Sequence, residues 1–293
     1  MQSWQSIIRH IEQITEKRFS VKQQQNMSGG SINNASLLIG ADGRRYFVKT
    51  NQTGKSSMFE AETKGLQALA SSQSIRVPES VCFGDDKSQS YIVLEYLDLS
   101  GRANQIALGE QLAAMHRVQS KQFGWELDNT IGATYQPNHK MDNWLDFWRD
   151  QRLGFQLRLA AENGYGGELQ SLGERLLSEM SKLFTGHEVV PSMLHGDLWG
   201  GNVAGLSDGT PVIYDPAFYY GDREADIAMT YVFGGFDPDF YASYQNAYPL
   251  DDGFVVRKHL YNVYHIINHL NMFGDGYHGQ AINMFEHVLA EIQ

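Results

Sequence analysis

A single cysteine, Cys82, stands among 293 residues. That excludes an internal disulfide framework and a cysteine-rich zinc site, and it fits a reducing cytoplasm. Positive charge is also scarce, with 23 Lys and Arg against 34 Asp and Glu and a formal net charge of −11. No basic run or stripe breaks that balance, which argues against nucleic acid and anionic membrane as partners. A nucleotide triphosphate stays open, since a few local cations and a metal ion suffice to hold one. Long apolar runs are missing as well. The most continuous, residues 260–273, is interrupted by His265, Asn268, His269 and Asn271, so no stretch is expected to span a bilayer. Residues 1–17 alternate apolar and polar side chains and lack the continuous apolar stretch of a signal peptide.

What is present is ample core material: 42% of residues are hydrophobic and 12% aromatic, enough for one large or two modest globular units. Ile7, Ile8, Ile11 and Ile14 recur at helical spacing and predict a short amphipathic opening helix. Residues 35–39 and 45–50 read as two strands joined by the turn Ala41-Asp42-Gly43. A helix over 59–70 follows, Pro78 bars further helix, and Tyr91-Ile92-Val93-Leu94-Glu95-Tyr96 returns to strand. From about residue 100 the pattern turns helical. Leu108, Leu112 and Met115 share a face, and Asp142 is placed to cap a helix carrying Trp144, Phe147, Trp148, Phe155 and Leu159, with Gly164 as its stop. Leu169, Leu172, Leu176, Met180 and Leu183 mark another helical stripe, and residues 192–194 and 212–214 are short strand candidates. The expected architecture is α+β and two-lobed. A small sheet-rich lobe over 1–97 precedes a larger, mainly helical lobe over 98–293.

The chemistry concentrates at His195-Gly196-Asp197-Leu198-Trp199-Gly200-Gly201-Asn202. An apolar strand enters this loop, and a second strand leads to Asp215 after the turn Ser207-Asp208-Gly209. Phosphoryl transfer needs a carboxylate that orients the acceptor hydroxyl and receives its proton, together with oxygen ligands for magnesium. The protein-kinase catalytic loop sets its base Asp and metal-binding Asn five residues apart, with a second metal-binding Asp at the next strand end. Asp197 as base and Asn202 and Asp215 as metal ligands reproduce that spacing. Gly200 and Gly201 suit a tight turn beside substrate and phosphates. The bland alternative is a glycine-rich hairpin with incidental aspartates, and four matched positions weigh against it.

A nucleotide half is expected upstream. Tyr46-Phe47-Val48-Lys49 is a strand with an embedded lysine, the pattern of a phosphate-contacting residue. Lys49 alone would be an ordinary edge lysine. Its place before a helix bearing Glu60 and Glu62 and well ahead of Asp197 gives it a role. Glu62 shares a face with Leu66 and Leu69 and is the expected partner, with Glu60 the other candidate. Gly29, Gly30 and Ser31 lie in a turn just before the first strand pair and offer backbone N–H groups to phosphates. Glu95 and Leu97, at the end of the 91–96 strand, are placed to meet an adenine edge through the main chain.

With these residues assembled, the chain resembles the fructosamine kinase (ketosamine 3-kinase) family, related to aminoglycoside phosphotransferases and choline kinases. Beyond the loop itself, the resemblance rests on Asp215-Pro216-Ala217, Tyr220-Gly221-Asp222-Arg223-Glu224-Ala225-Asp226-Ile227-Ala228-Met229 and Asn268-His269-Leu270-Asn271-Met272-Phe273-Gly274. It implies a protein-kinase-like fold and ATP- and Mg²⁺-dependent phosphorylation of the 3-hydroxyl of a ketosamine, free or protein-bound, with deglycation as the outcome. It makes Trp199 a platform for the sugar and Glu224 and His265 candidate substrate contacts. Asp226 is expected to brace the catalytic loop. Many family members carry a cysteine where Ser31 stands, so a redox switch at that turn is not expected, and a monomer or weak homodimer is. Two competing readings keep the same residues. One is a kinase for another small acceptor, such as an aminoglycoside or choline; the other is a nucleotide-binding pseudokinase scaffold, against which the intact Lys49, Asp197, Asn202 and Asp215 argue.

Overall fold

The isoleucines at 7 and 11 are fully buried in α1 (Gln5–Thr15), while Ile14 at its end is exposed. A computed structural model describes residues 4–27 and 32–292. It forms two compact units, Met1–Asn104 with Ala204–Pro216, and Gln105–Val203 with Ala217–Gln293. The first therefore runs past Leu97 and takes in a later segment of the chain.

In the first unit, β1 (Val21–Met27), β2 (Asn34–Gly40), β3 (Arg45–Asn51), β4 (Ser80–Asp85) and β5 (Ser90–Glu95) make one antiparallel sheet in the order β1-β2-β3-β5-β4. Side chains alternate across a strand, so β3 sends Tyr46 and Val48 into a core with Ile7, Ile11, Leu38, Cys82 and Val93, and sends Lys49 to the opposite face. On that face lies α2 (Ser56–Ser71), which buries Phe59, Leu66 and Leu69. β1 carries no readable strand signal because its residues, Val-Lys-Gln-Gln-Gln-Asn-Met, are an exposed polar edge. The later segment contributes β9 (Val203–Gly205) and β10 (Pro211–Ile213), which pair with each other. Gly101 N–H donates to the Gly205 carbonyl at 3.1 Å, Asn104 N–H to that of Gly209 at 2.9 Å, and Ile213 N–H to that of Arg76 at 3.1 Å. These bonds account for the boundary at Asn104.

The second unit is mainly helical. It holds α3 (Gln105–His116), the hairpin β6 (Asn129–Ile131) and β7 (Thr134–Gln136), α4 (Trp144–Phe147), α5 (Gly154–Glu162) and α6 (Glu168–Glu179). β8 (Ser192–Leu194), β11 (Tyr219–Gly221), α7 (Arg223–Thr230), α8 (Pro238–Ala247), α9 (Phe254–Phe273) and α10 (His278–Glu291) complete it. Its spine is α9, which buries Leu260, Tyr261, Val263, Tyr264, Ile266, Ile267 and Leu270. The helix expected to start at Asp142 is capped one residue later, where Asn143 Oδ1 accepts the Asp146 N–H at 3.0 Å. Asp142 instead accepts from Gln122 Nε2 at 2.8 Å. Nor is that helix continuous: a π turn, Trp148–Leu153, separates α4 from α5. Among the described residues, no helix is long and apolar enough to cross a membrane.

Candidate active site

In the first unit the β3 register sets Lys49 opposite Ala35 on one side and Ile92 on the other, in the middle of the sheet. Its ammonium donates to Glu62 Oε1 at 2.7 Å and also to Asp215, and the lysine is only 6% exposed. Burial alone would lower the Lys49 pKa, but the Asp215 and Glu62 carboxylates outweigh it and push it up, so the group stays charged. Of the two candidate glutamates, Glu62 is the one on Lys49; Glu60 pairs with the exposed Lys64 at 2.9 Å. Asp215 adopts a left-handed backbone with φ of 58°. A non-glycine residue holds that conformation only where its surroundings enforce it, and here the Lys49 contact ties its carboxylate.

In the second unit β8 pairs antiparallel with β11, Leu194 opposite Tyr219, and delivers the chain into the 195–202 loop. Asp222 caps α7, accepting the Glu224 N–H at 3.0 Å, and the first turn of that helix presents Asp226. The buried Asp226 carboxylate accepts the His195 N–H at 2.7 Å and the Gly196 N–H at 2.8 Å. His116, from the last turn of α3, reaches the same carboxylate through Nε2 at 3.2 Å, and its Nδ1 meets the Tyr244 hydroxyl at 2.8 Å. The network assigns the proton to Nε2, with Nδ1 accepting from Tyr244. Burial would raise the Asp226 pKa; the hydrogen bonds from His116 and from the amide of Gly196 bring it below the ordinary carboxylate value. Gly196 sits at φ of +84°, and a Cβ there would lie 2.0 Å from the Ala217 carbonyl oxygen, so only glycine fits.

Asp197 and Asn202 are joined directly. Asn202 Nδ2 donates to the Asp197 carbonyl at 2.8 Å and to its carboxylate Oδ2 at 3.2 Å, and the Asp197 N–H donates to His195 Nδ1 at 3.2 Å. Asn202 Oδ1 and, in the first unit, the Asp215 carboxylate, on a side chain 42% exposed, are each a hard donor of the kind magnesium takes. Gly201 serves Trp199 rather than a phosphate turn: a Cβ at 201 would stand 2.3 Å from both Cη2 and Cζ2 of the indole. The ring lies over that glycine, 36% exposed.

Gly29, Gly30 and Ser31 lie outside the described residues. The Glu95 N–H is taken by the Glu79 carbonyl at 2.9 Å, its carboxylate binds Arg76 Nη2 at 2.5 Å, and Leu97 follows β5 in irregular chain. Glu224 is 1% exposed and bound bidentately by Arg257, Nε to Oε2 at 2.7 Å and Nη2 to Oε1 at 2.8 Å. A buried carboxylate needs such a partner, and the pair ties α7 to α9. His265 is also buried, 4% exposed, against Tyr264, and burial pushes its pKa down to about 3. It packs as a neutral core histidine. His116 and Arg257 escaped the sequence reading because a lone polar residue on an apolar helical face carries no signal of its partner.

The family model described as fructosamine kinase matches residues 3–291. This chain belongs to the fructosamine kinase family. It is 44% identical over 290 residues to a Synechocystis sp. protein named "Probable ketoamine kinase", covering 98% of this chain and 97% of that one. An Arabidopsis thaliana relative of the same family, named a chloroplastic protein-ribulosamine 3-kinase, is 41% identical over 268 residues, covering 90% of this chain and 82% of its own. Among solved structures, a Haemophilus somnus protein with a provisional fructosamine-3-kinase name superposes with a TM-score of 0.89 at 29% identity, over 98% of this chain and 97% of that one. An ADP-bound aminoglycoside phosphotransferase, at 14% identity and a TM-score of 0.64 over 98% of this chain and 99% of its own, shares the protein-kinase-like fold alone.

Proposed function

We propose that this kinase transfers the γ-phosphoryl group of ATP to the sugar 3-hydroxyl of ketosamines, the Amadori products of sugars with amines. The observation that carries the reading is the Asp197–Asn202 pairing on a loop held by Asp226, in a chain 44% identical to a "Probable ketoamine kinase". Asp197 orients the acceptor hydroxyl and takes its proton as the oxygen bonds to phosphorus. Lys49, kept charged by Glu62, supplies the cation for nucleotide phosphates, and the glycine-rich stretch Gly29, Gly30 and Ser31 is proposed from the sequence to offer them backbone amides. Glu95 and Leu97 provide main-chain groups for the adenine edge. Asn202 and Asp215 supply oxygen donors for magnesium. Bound magnesium-ATP contributes the phosphoryl group and a divalent charge on its oxygens. Trp199 offers its face to the sugar. A 3-phosphate adjoining the ketone is a good leaving group after enolisation toward C1; its loss as inorganic phosphate leaves an imine at C1, and water hydrolyses that imine to the free amine and a 3-deoxy dicarbonyl, which makes the reaction a deglycation step. The near absence of cysteine supports a reducing cytoplasm as the compartment of that step.

An acceptor panel tests the proposal. ATP turnover is measured with fructosyl-, ribulosyl- and erythrulosyl-lysine beside kanamycin and choline, and phosphorus NMR locates the new ester. Turnover with only the last two acceptors would overturn it. Asp197→Ala is expected to lower kcat by about 10²–10⁴-fold, the usual contribution of a positioned base, with ATP binding retained. An equally active variant would remove Asp197 from that role.

A further inference from the structure

Trp199 is the start of an aromatic strip. Its indole meets Phe233 edge-on, with centroids 5.9 Å apart and planes at 75°. Phe233 in turn packs on His269 at 4.8 Å, and His269 on Phe273 at 5.6 Å and Tyr277 at 5.2 Å. His269 is pinned, its Nδ1 donating to the His265 carbonyl at 2.8 Å, and burial lowers its pKa, so the ring is neutral and apolar in character. Three of these rings are open to solvent: Trp199 is 36%, Phe233 46% and Phe273 53% exposed. Solvent-exposed aromatics arrayed in sequence beside a catalytic loop are costly unless something covers them.

The backbone at Phe233 points the same way. The residue holds a left-handed conformation, φ 59° and ψ 39°, and Gly234 and Gly235 follow with φ of 113° and 76°. A phenylalanine pays for that conformation and a glycine does not. The ring is thus presented at the Trp199 edge against the local backbone preference, and two permissive residues flank it.

We infer that Phe233 is a specificity-determining residue, which with His269 holds the aglycone side of the acceptor while Trp199 takes its sugar. This rests on the ketosamine reading of the same site. One sugar ring covers one indole face. The strip continues through four further rings, and its chemistry suits apolar or aromatic side chains flanking a glycated lysine in a polypeptide. The selectivity is thus for the residues that flank the ketosamine-bearing lysine, docked on Phe233.

The test compares three acceptors: free fructosyl-lysine, a fructosyl-lysine peptide flanked by phenylalanines, and the same peptide flanked by serines. Wild type is expected to favour the phenylalanine peptide in kcat/KM over both others by about ten-fold, the scale of one aromatic contact. Phe233→Gly removes the ring at a position glycine adopts without strain, so folding is not at risk. It should raise KM for the phenylalanine peptide about ten-fold, raise it clearly less for free fructosyl-lysine and the serine peptide, and leave kcat and the KM for ATP close to wild type. Phe233→Tyr should restore the preference. Equal kcat/KM of wild type for the two peptides overturns the inference alone, as does an equal loss on all three acceptors in Phe233→Gly. Absence of turnover with every ketosamine overturns the functional reading, and this inference with it.

Discussion

Replacing Asp226 by Asn tests the physical link between the fold and the catalytic loop. The carboxylate is 1% exposed; Oδ2 accepts from His195 N–H and His116 Nε2, and Oδ1 from Gly196 N–H. Asparagine keeps one acceptor and puts an NH₂ where the other stood. At least one buried donor is left unsatisfied, at about 1–3 kcal/mol, and the surviving bond loses its charge assistance, about 1 kcal/mol more. The expected loss is about 2–4 kcal/mol, a sizeable part of a net stability of about 5–15 kcal/mol. In a chain of this size that is a fall in Tm of roughly 4–16 °C. Because the same bonds aim the backbone that carries Asp197, kcat should fall by about 10²-fold, as misplacement near 1 Å costs. The KM for ATP should stay close to wild type. The pH sign is also fixed. With its folded pKa below the ordinary value, Asp226 contributes its stability in full above about pH 4 and loses it as pH falls through the folded value. The gap between wild type and variant should therefore close in acid. Thermal melts across pH and steady-state kinetics read both effects. A variant that melts with wild type at pH 7 and turns over at its rate would refute the reasoning.

Gly196→Ala drives a Cβ to 2.0 Å from the Ala217 oxygen at a left-handed φ, so expression of soluble protein or kcat should collapse, and an active, well-folded variant would contradict the geometry. His265 titrates at about 3 when folded but near 6.5 when unfolded, so it favours the folded state above pH 6.5 and erodes it as pH falls toward 3. His265→Gln should flatten that part of the urea-midpoint profile; an unchanged slope would deny the histidine its neutral buried state. Cys82 is 6% exposed and burial pushes its thiol up to about 12, so the native protein should resist a thiol reagent at pH 8 and titrate one thiol in urea. Rapid labelling without denaturant would count against this packing.

How far the site was legible follows from the kind of signal each residue leaves. Glu62 was readable because Leu66 and Leu69 mark which helix face turns to the sheet, and the face decides which glutamate meets Lys49. The contact between Lys49 and Asp215 was not, since 166 residues separate them and nothing local encodes the meeting. Glu224 was expected as a candidate substrate contact, and only the arrival of Arg257 from α9 shows it as a buried brace. His265 was a candidate of the same kind, and the packing of α9 buries it. β1 was invisible because a solvated edge strand needs no apolar alternation.

Local order and chemistry belong to the sequence. The five-residue step from Asp197 to Asn202, the turn glycine at 196, the lysine embedded in a strand and the helical stripes all act over a few residues, where backbone geometry leaves few choices. Long-range pairing belongs to the tertiary structure. That Asp226 receives the His195 and Gly196 amides, that His116 and Tyr244 complete its shell, and that Trp199 lies on Gly201 beside Phe233 depend on which elements burial brings together. Apolar burial is not directional, so the sequence states what each element can bury but not which partner it will meet.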